Sequence, residues 1–224
     1  MAEWQIIAHI QNDYTDKFGV PRQSGLVEAV TSLVVFTEPY RNREALRGIE
    51  EYSYLWLLWL FSKAEREGWS PTVRPPRLGG NRRMGVFATR SPYRPNSVGL
   101  SSVKLLGAEE HPTLGTVLRV AGADLMNGTP ILDIKPYLAY TDAHPEAVGG
   151  FADAFVNYGL LVVCDDELKE RIPADKREAL LAVLRQDPRP SYQHDPERVY
   201  AMDFGGLNVR FTVADNVLTV RDIT

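Results

Sequence analysis

Short β-branched and aromatic runs fill the first 140 residues of this chain, and they limit its fold more than any other feature. "EWQIIAHI" (3–10), "LVVFT" (33–37), "YLWLLWLF" (54–61), "MGVFATR" (84–90), "VGLSSVKLLGAEE" (98–110), "GTVLRVAGAD" (115–124) and "PILDIKPYL" (130–138) each read as strand. Turn signals separate them at Asp16 to Gly19, at Gly79-Gly80-Asn81 and at Asn127-Gly128. Helical periodicity is confined to "RNREALRGIEEY" (41–52). Many strands at such short spacing predict an antiparallel barrel or sandwich rather than βαβ units. Asn-Gly suits a type I′ turn, so "ADLMNGTPILDI" is expected to be a hairpin.

The pattern changes after "TDAHPEAVGG" (141–150), which reads as a linker. "DDELKERIPADKREALLAVLRQDP" (165–188) predicts helix, broken or restarted at Pro173, with Leu180, Leu181 and Leu184 as its apolar stripe. Residues 198–223 alternate like a three-stranded meander with turns at Gly205-Gly206 and Asp215-Asn216. The expected architecture is therefore mainly β: an antiparallel β-barrel over residues 1–145, then a small α+β domain over 146–224.

The most apolar stretch, "YSYLWLLWLFS" (52–62), is far shorter than the roughly 20 residues of a spanning helix and reads as a buried strand. "MAEWQIIAHI" has no basic start and no long apolar run, and Cys164 is the only cysteine, so a cytoplasmic protein is expected. A Gly-x-Gly-x-x-Gly fingerprint, a phosphate-binding P-loop and a nucleophile elbow are all missing. The histidines, His9, His111, His144 and His194, have no ligand spacing, and no metal is expected.

The charge distribution points the other way, toward a ligand. Between Gly68 and Ala108 stand Arg74, Arg77, Arg82, Arg83, Arg90, Arg94 and Lys104 with no acid among them, so a chain of net −4 carries +7 in this window and −11 outside it. A local basic patch on an acidic protein favours a specific anionic ligand over general adhesion to polyanions.

Four segments combine Pro or Gly with polar groups beside apolar strands. "VPRQSG" (20–25) offers the guanidinium of Arg22 and the amide of Gln23 behind Pro21. "GWSPTVRPPRLGGNRRMGVFATRSPYRPNSVG" (68–99) holds arginines suited to carboxylate or phosphate, with Tyr93 placed to stack on a base. "DLMNGTPILDIKPY" (124–137) exposes backbone groups at Asn127, Gly128, Thr129 and Pro130, and alternates Asp133, Lys135 and Tyr137 along one strand face. "QDPRPSYQ" (186–193) places Arg189 and Tyr192 on a Pro-stiffened loop.

"RPPRLGGNRRMGVFATRSPYRPNSVGLS", "DLMNGTPILDIKPYL", "QDPRPSY" and "VPRQSGLV" together resemble the TsaA-like family, which includes the TrmO-type tRNA methyltransferases. The resemblance covers essentially the whole chain. It implies an antiparallel barrel that binds S-adenosylmethionine without a Rossmann fold, a small C-terminal domain and a homodimer. It also implies methylation of N6 of threonylcarbamoyladenosine, next to the anticodon of tRNA. The cofactor contacts it implies are Pro21, Arg22, Gln23, Arg90, Leu100, Asn127, Gly128, Thr129 and Pro130. It adds Ser62 and Lys63, where family members often carry a different pair and only backbone contacts transfer.

With that resemblance, Arg22 or Arg90 is expected to hold the carboxylate of the cofactor, and the backbone of Asn127 to Pro130 to read its adenine edge. Asp133 and Tyr137 are the candidates for the catalytic base, with Lys135 orienting or neutralising. Arg74, Arg77, Arg82, Arg83 and Arg94 would hold tRNA phosphates or the threonyl carboxylate, joined by Tyr93, Arg189 and Tyr192. The residues leave open a methyltransferase of another nucleobase or small substrate, a non-catalytic RNA-binding barrel and a nucleotide-sensing module.

Overall fold

A computed structural model describes residues 4–63, 69–75, 78, 82–190, 193 and 195–224. Six strands form one antiparallel sheet: β1 (Ala8–Gln11), β2 (Thr31–Phe36), β3 (Tyr54–Leu60), β6 (Val98–His111), β7 (Gly115–Ala121) and β8 (Pro130–Pro136). Between β3 and β6, β4 (Thr72–Val73) and β5 (Met84–Gly85) make a separate two-stranded ribbon. The six run in the order β1-β2-β7-β6-β3-β8, and β1 pairs with both β2 and β8, so the sheet closes on itself. Closure leaves no open edge to template aggregation.

Alternation explains the interior. In β3, Leu55, Leu57 and Trp59 are buried while Tyr54, Trp56, Leu58 and Leu60 are only partly covered. They pack with Ala8, Ile10, Val34, Phe36, Val103, Leu118, Val120 and Ile131 into the barrel core. Successive side chains leave a strand on opposite faces, so the same register that buries Leu57 turns Leu58 outward.

The second unit carries β9 (Leu161–Val163), α2 (Asp166–Glu170), α3 (Ala174–Arg185), β10 (Tyr200–Phe204), β11 (Leu207–Ala214) and β12 (Val217–Ile223). A short α1 (Ala139–Asp142) precedes it. Pro173 stands at the N-cap of α3 without a side-chain cap, and its fixed φ and missing N–H keep α2 from running on into α3. Ala179, Leu180, Val183 and Leu184 form the buried stripe, with Leu181 at its margin. Both central residues of the β11–β12 turn, Asp215 and Asn216, have positive φ (49° and 63°), the requirement of a type I′ hairpin. Tyr14, Val27 and Val30, from the excursion between β1 and β2, sit in this second core. Lys176 ties the units further, donating to Asp13 Oδ1 and to the Gly205 carbonyl, each at 2.8 Å.

Four local expectations fail, each for a visible reason. The 41–52 segment is not a continuous helix but two 3-10 turns, Arg43–Leu46 and Ile49–Glu51, split by Gly48 at φ 84°. The 84–90 strand stops after Gly85 and becomes a 3-10 turn over Val86–Ala88. Residues 123–134 are not a hairpin, because β7 pairs with β2 and β6 whereas β8 pairs with β1 and β3. Only Gly128 of the Asn127-Gly128 pair has positive φ (81°), which is the type II pattern, with Thr129 N–H donating to the Met126 carbonyl at 3.1 Å. Finally β9, parallel to β12, is too short at three residues to stand out from its loop.

Candidate active site

The 20–25 loop is held against the 122–130 segment by two glycines. Gly25 N–H donates to the Gly122 carbonyl at 2.8 Å, and a Cβ on Gly122 would lie 3.2 Å from Gly25 Cα. Gly25 and Gly122 both have positive φ (80° and 74°), which a side chain at either position would strain. This contact holds Gln23 beside Arg90, whose Nη1 donates to Gln23 Oε1 at 2.5 Å. Gln23 Nε2 in turn donates to the Arg22 carbonyl at 2.5 Å, and Pro21 is buried behind them.

Under this loop runs a chain of hydrogen bonds. Trp59 Nε1 donates to Ser101 Oγ at 2.9 Å, and Ser101 donates to Asp124 Oδ1 at 2.5 Å. Burial pushes the Asp124 carboxyl above its ordinary range. The Ser101 hydroxyl, the backbone N–H groups of Asp124 and Ser24, and the Arg90 charge all pull it back. No basic group among the described residues lies within salt-bridge distance of it. The Tyr14 hydroxyl is buried without a hydrogen-bond partner among the described residues, and burial, joined by the charges of Asp124 and Asp13, holds it protonated.

The Asn127–Pro130 segment is pinned through its donors. Asn127 N–H donates to the Tyr14 carbonyl at 2.9 Å, Gly128 N–H to the Ile10 carbonyl at 2.8 Å, and Asn12 N–H to Asn127 Oδ1 at 3.1 Å. Thr129 N–H closes its own turn, Pro130 has no N–H and the Thr129 carbonyl accepts from Ile10 N–H at 3.0 Å, so the backbone of this segment has no free N–H to offer, while the Asn127 amide and the Thr129 hydroxyl keep side-chain donors.

Asp133, Lys135 and Tyr137 lie elsewhere on the barrel. Asp133 pairs with Leu58 and Lys135 with Trp56, residues whose side chains leave the barrel, and Leu58 also pairs with Leu100. Leu100 is therefore on the outer face, beside Ser101, which points in. Lys135 Nζ meets Asp133 Oδ2 at 2.8 Å, and that carboxylate holds the ammonium above its ordinary range, so Lys135 stays charged. The Tyr137 ring packs 5.4 Å from Trp56 and 6.2 Å from Tyr54. Trp56 Nε1 also donates to Asp142 Oδ2 at 2.8 Å, which folds α1 back over this face. Within one copy of the chain, the expected base candidates and the Arg90–Asp124 cluster are on opposite sides of the sheet.

The arginines of the basic window divide by role. Arg94 Nη1 donates to the Thr89 and Ser91 carbonyls at 2.8 and 3.4 Å and so braces its own loop, and Arg83 Nη1 donates to Thr72 Oγ1 at 3.2 Å across the β4–β5 ribbon. Arg74 and Arg82 are exposed on the same ribbon, Tyr93 is partly exposed with its N–H on Ser91 Oγ at 3.3 Å, and Ser62 and Lys63 follow β3 at the surface. Arg77 and Tyr192 lie outside the described residues. Arg189 is far from free: its Nε meets Asp187 Oδ1 at 2.9 Å, with the two side chains only 11% and 9% exposed. Tyr158 donates to the other Asp187 oxygen at 2.5 Å.

Comparison with known proteins gives this geometry a family. Residues 9–143 match the model of the tRNA-methyltransferase O N-terminal domain, and residues 164–224 match that of the TrmO C-terminal domain. The chain belongs to this family.

A relative from Escherichia coli K12 named tRNA (adenine(37)-N6)-methyltransferase is 41% identical over 221 residues, 95% of this chain and 94% of that protein. One of the same name from Eikenella corrodens is 44% identical over 173 residues, 77% and 97% of the two chains. A crystal structure of TrmO from Pseudomonas aeruginosa superposes with a TM-score of 0.78 at 31% identity, covering 100% of this chain and 99% of that one.

Several residues around this candidate site escape a sequence reading. Ser101, Trp59 and Asp124 look like ordinary strand and turn residues, and only the barrel brings them together. Trp69 and Phe87, 54% and 72% exposed, face each other at 6.1 Å beside the β4–β5 ribbon, and Arg94 lies 5.9 Å over the Phe87 ring. The signal that could have found them is two large aromatics inside a window otherwise made of Arg, Pro and Gly.

Proposed function

We propose that the chain is an S-adenosylmethionine-dependent tRNA methyltransferase that modifies N6 of threonylcarbamoyladenosine next to the anticodon. Both its domains match the family, and its relatives from Escherichia coli and Eikenella corrodens are named for N6 methylation of adenine 37 in tRNA. A Pseudomonas aeruginosa relative, 40% identical over 92% of this chain, carries "S-adenosylmethionine-dependent methyltransferase" in its name. The observation that carries the reading is the grouping of Gln23, Arg90 and Asp124 at one place, with the 20–25 loop held on the 122–130 segment by the Gly25–Gly122 contact.

The donor set fits the cofactor. A guanidinium suits its carboxylate, a half-buried acid suits its cationic centre, and backbone acceptors suit the amino edge of adenine. When bound, S-adenosylmethionine supplies a methyl group activated on a sulfonium. Pro21, Arg22, Gln23, Ser62, Lys63, Arg90, Leu100, Asn127, Gly128, Thr129 and Pro130 hold it, with Arg22 or Arg90 on the carboxylate. Alignment of N6 with the methyl group carries most of the rate. Asp133 or Tyr137 receives the N6 proton, and Lys135, 2.8 Å from Asp133 Oδ2, orients or neutralises. Arg74, Arg77, Arg82, Arg83, Tyr93, Arg94, Arg189 and Tyr192 serve the tRNA side, Arg94 and Arg189 through the loops they brace.

A homodimer reconciles the two halves of the site. The outer face with Asp133, Lys135, Tyr137 and the exposed Leu100 belongs to one copy and the Arg90–Asp124 mouth to the other. The chain then works as a barrel over 1–145 and an α+β unit over 146–224, in the cytoplasm with its tRNA substrate. Among the described residues, no helix is long and apolar enough to cross a membrane, and no cluster of three metal-ligating side chains occurs.

A tRNA panel with and without the threonylcarbamoyl group tests the reading. Methyl transfer only to the modified set supports it. Equal transfer to unmodified adenosine contradicts the substrate, and tRNA binding without transfer leaves an RNA-binding barrel.

A further inference from the structure

The half-buried carboxylate of Asp124 is a costly group to keep beside the barrel core. It is partly removed from water, has no ion-pair partner among the described residues, and is aimed by a two-step relay from Trp59 through Ser101. An apolar or amide side chain would cap the core more cheaply. The relay also needs Gly99: a Cβ there would sit 2.3 Å from the Trp59 ring, so the indole lies flat on the backbone of the facing strand. The charged group bearing on Asp124 is Arg90, which favours its ionised form; the titratable neighbour Tyr14 is held neutral.

We propose that Asp124 is the residue that reads the positive charge of the methyl donor. This rests on the donor site proposed above, whose loops 20–25 and 122–130 and whose Arg90 enclose Asp124. Its carboxylate has a fixed direction, set by Ser101, and feels the Arg90 charge only beyond salt-bridge distance, which leaves a direct counter-charge to a cationic ligand. A sulfonium satisfies it, whereas the neutral thioether left after methyl transfer does not. Asp124 thereby favours donor over product and loosens its hold once the methyl group has moved. Ser101 and Trp59 are positioning residues that act through it.

Calorimetry on the full chain tests this with three ligands: S-adenosylmethionine, S-adenosylhomocysteine, and the analogue with an amine in place of the sulfonium. At an effective protein dielectric near 20, a charge pair several Å apart is worth about one to two powers of ten in affinity. The unaltered protein is expected to bind both cationic ligands tighter than the neutral one by about tenfold or more. Asp124→Asn, which keeps the shape and an acceptor for Ser101, is expected to bring all three within about threefold of each other. Equal loss of affinity for all three in Asp124→Asn would overturn the proposal and leave Asp124 a scaffold residue. If that variant does not fold, the unaltered protein decides alone: equal affinity for the cationic and neutral ligands overturns the proposal while leaving the donor site intact. Binding of none of the three overturns the donor site as well.

Discussion

Trp59 and Ser101 meet on the inner face of two paired strands, the indole N–H donating to the hydroxyl at 2.9 Å, in a register that also brings Trp59 directly opposite Gly99. The indole can reach Ser101 only because Gly99 leaves room for it. Gly99→Ala is therefore expected to overpack the core and cost about 1–3 kcal/mol of stability. Urea unfolding followed by tryptophan fluorescence measures it. An unchanged midpoint and unchanged native emission would show that the ring has another place to go.

Asp124 gives a second prediction through pH. Its carboxyl is raised above the ordinary 3.8 in the folded protein, so between that value and the folded one the unfolded chain has released a proton that the native protein retains. Stability contributed by this group then falls as pH rises through that interval. Asp124→Asn is expected to be more stable than the unaltered protein at neutral pH, with the gap closing below the ordinary aspartate range. Thermal melts from pH 3 to pH 8 test the sign, which reverses if the carboxylate is net stabilised in the fold.

Much of the architecture was legible beforehand, because period-2 alternation in β2, β3 and β8 and the paired turn residues at 205–206 and 215–216 are local signals. The 165–188 helix broke at Pro173 for the same kind of local reason. What failed was non-local. "MNGT" looks like a hairpin turn, but the barrel order places β7 and β8 apart, and the same residues make a type II turn pinned by Ile10 and Tyr14. The site shows the same division. Gln23 and Arg90 could be chosen from residue type and resemblance. The Trp59–Ser101–Asp124 relay depends on the register of three strands and a loop, which no window of sequence contains.

The ribbon aromatics separate stacking from charge. Phe87→Ala and Trp69→Ala are expected to weaken tRNA binding by about 1–3 kcal/mol each while leaving its salt dependence unchanged, as lost base stacking would. Arg82→Ala or Arg74→Ala should instead flatten the slope of log affinity against log salt by roughly one unit each. Filter binding across a salt series tells the two apart, and a changed slope in Phe87→Ala would contradict the assignment.

Arg189 is held by Asp187 in a pair that water barely reaches. Arg189→Ala leaves a buried carboxylate with only Tyr158 on it among the described residues and is expected to cost roughly 3 kcal/mol of stability. Normal stability with lost tRNA binding would make it a direct phosphate ligand instead.

Mixed dimers test whether the site is shared. Arg90→Ala and Asp133→Ala homodimers should each be slow in single-turnover methylation, and mixing the two after dissociation should restore one intact site per heterodimer. Full activity of Asp133→Ala and Tyr137→Phe alone would remove both from the chemistry.

The most direct measurement is mass spectrometry of nucleosides from threonylcarbamoyl-bearing tRNA incubated with the protein and methyl-labelled S-adenosylmethionine. The account predicts one labelled methyl on N6 of the modified adenosine beside the anticodon. Label on another nucleoside, or none in any nucleoside, would contradict it.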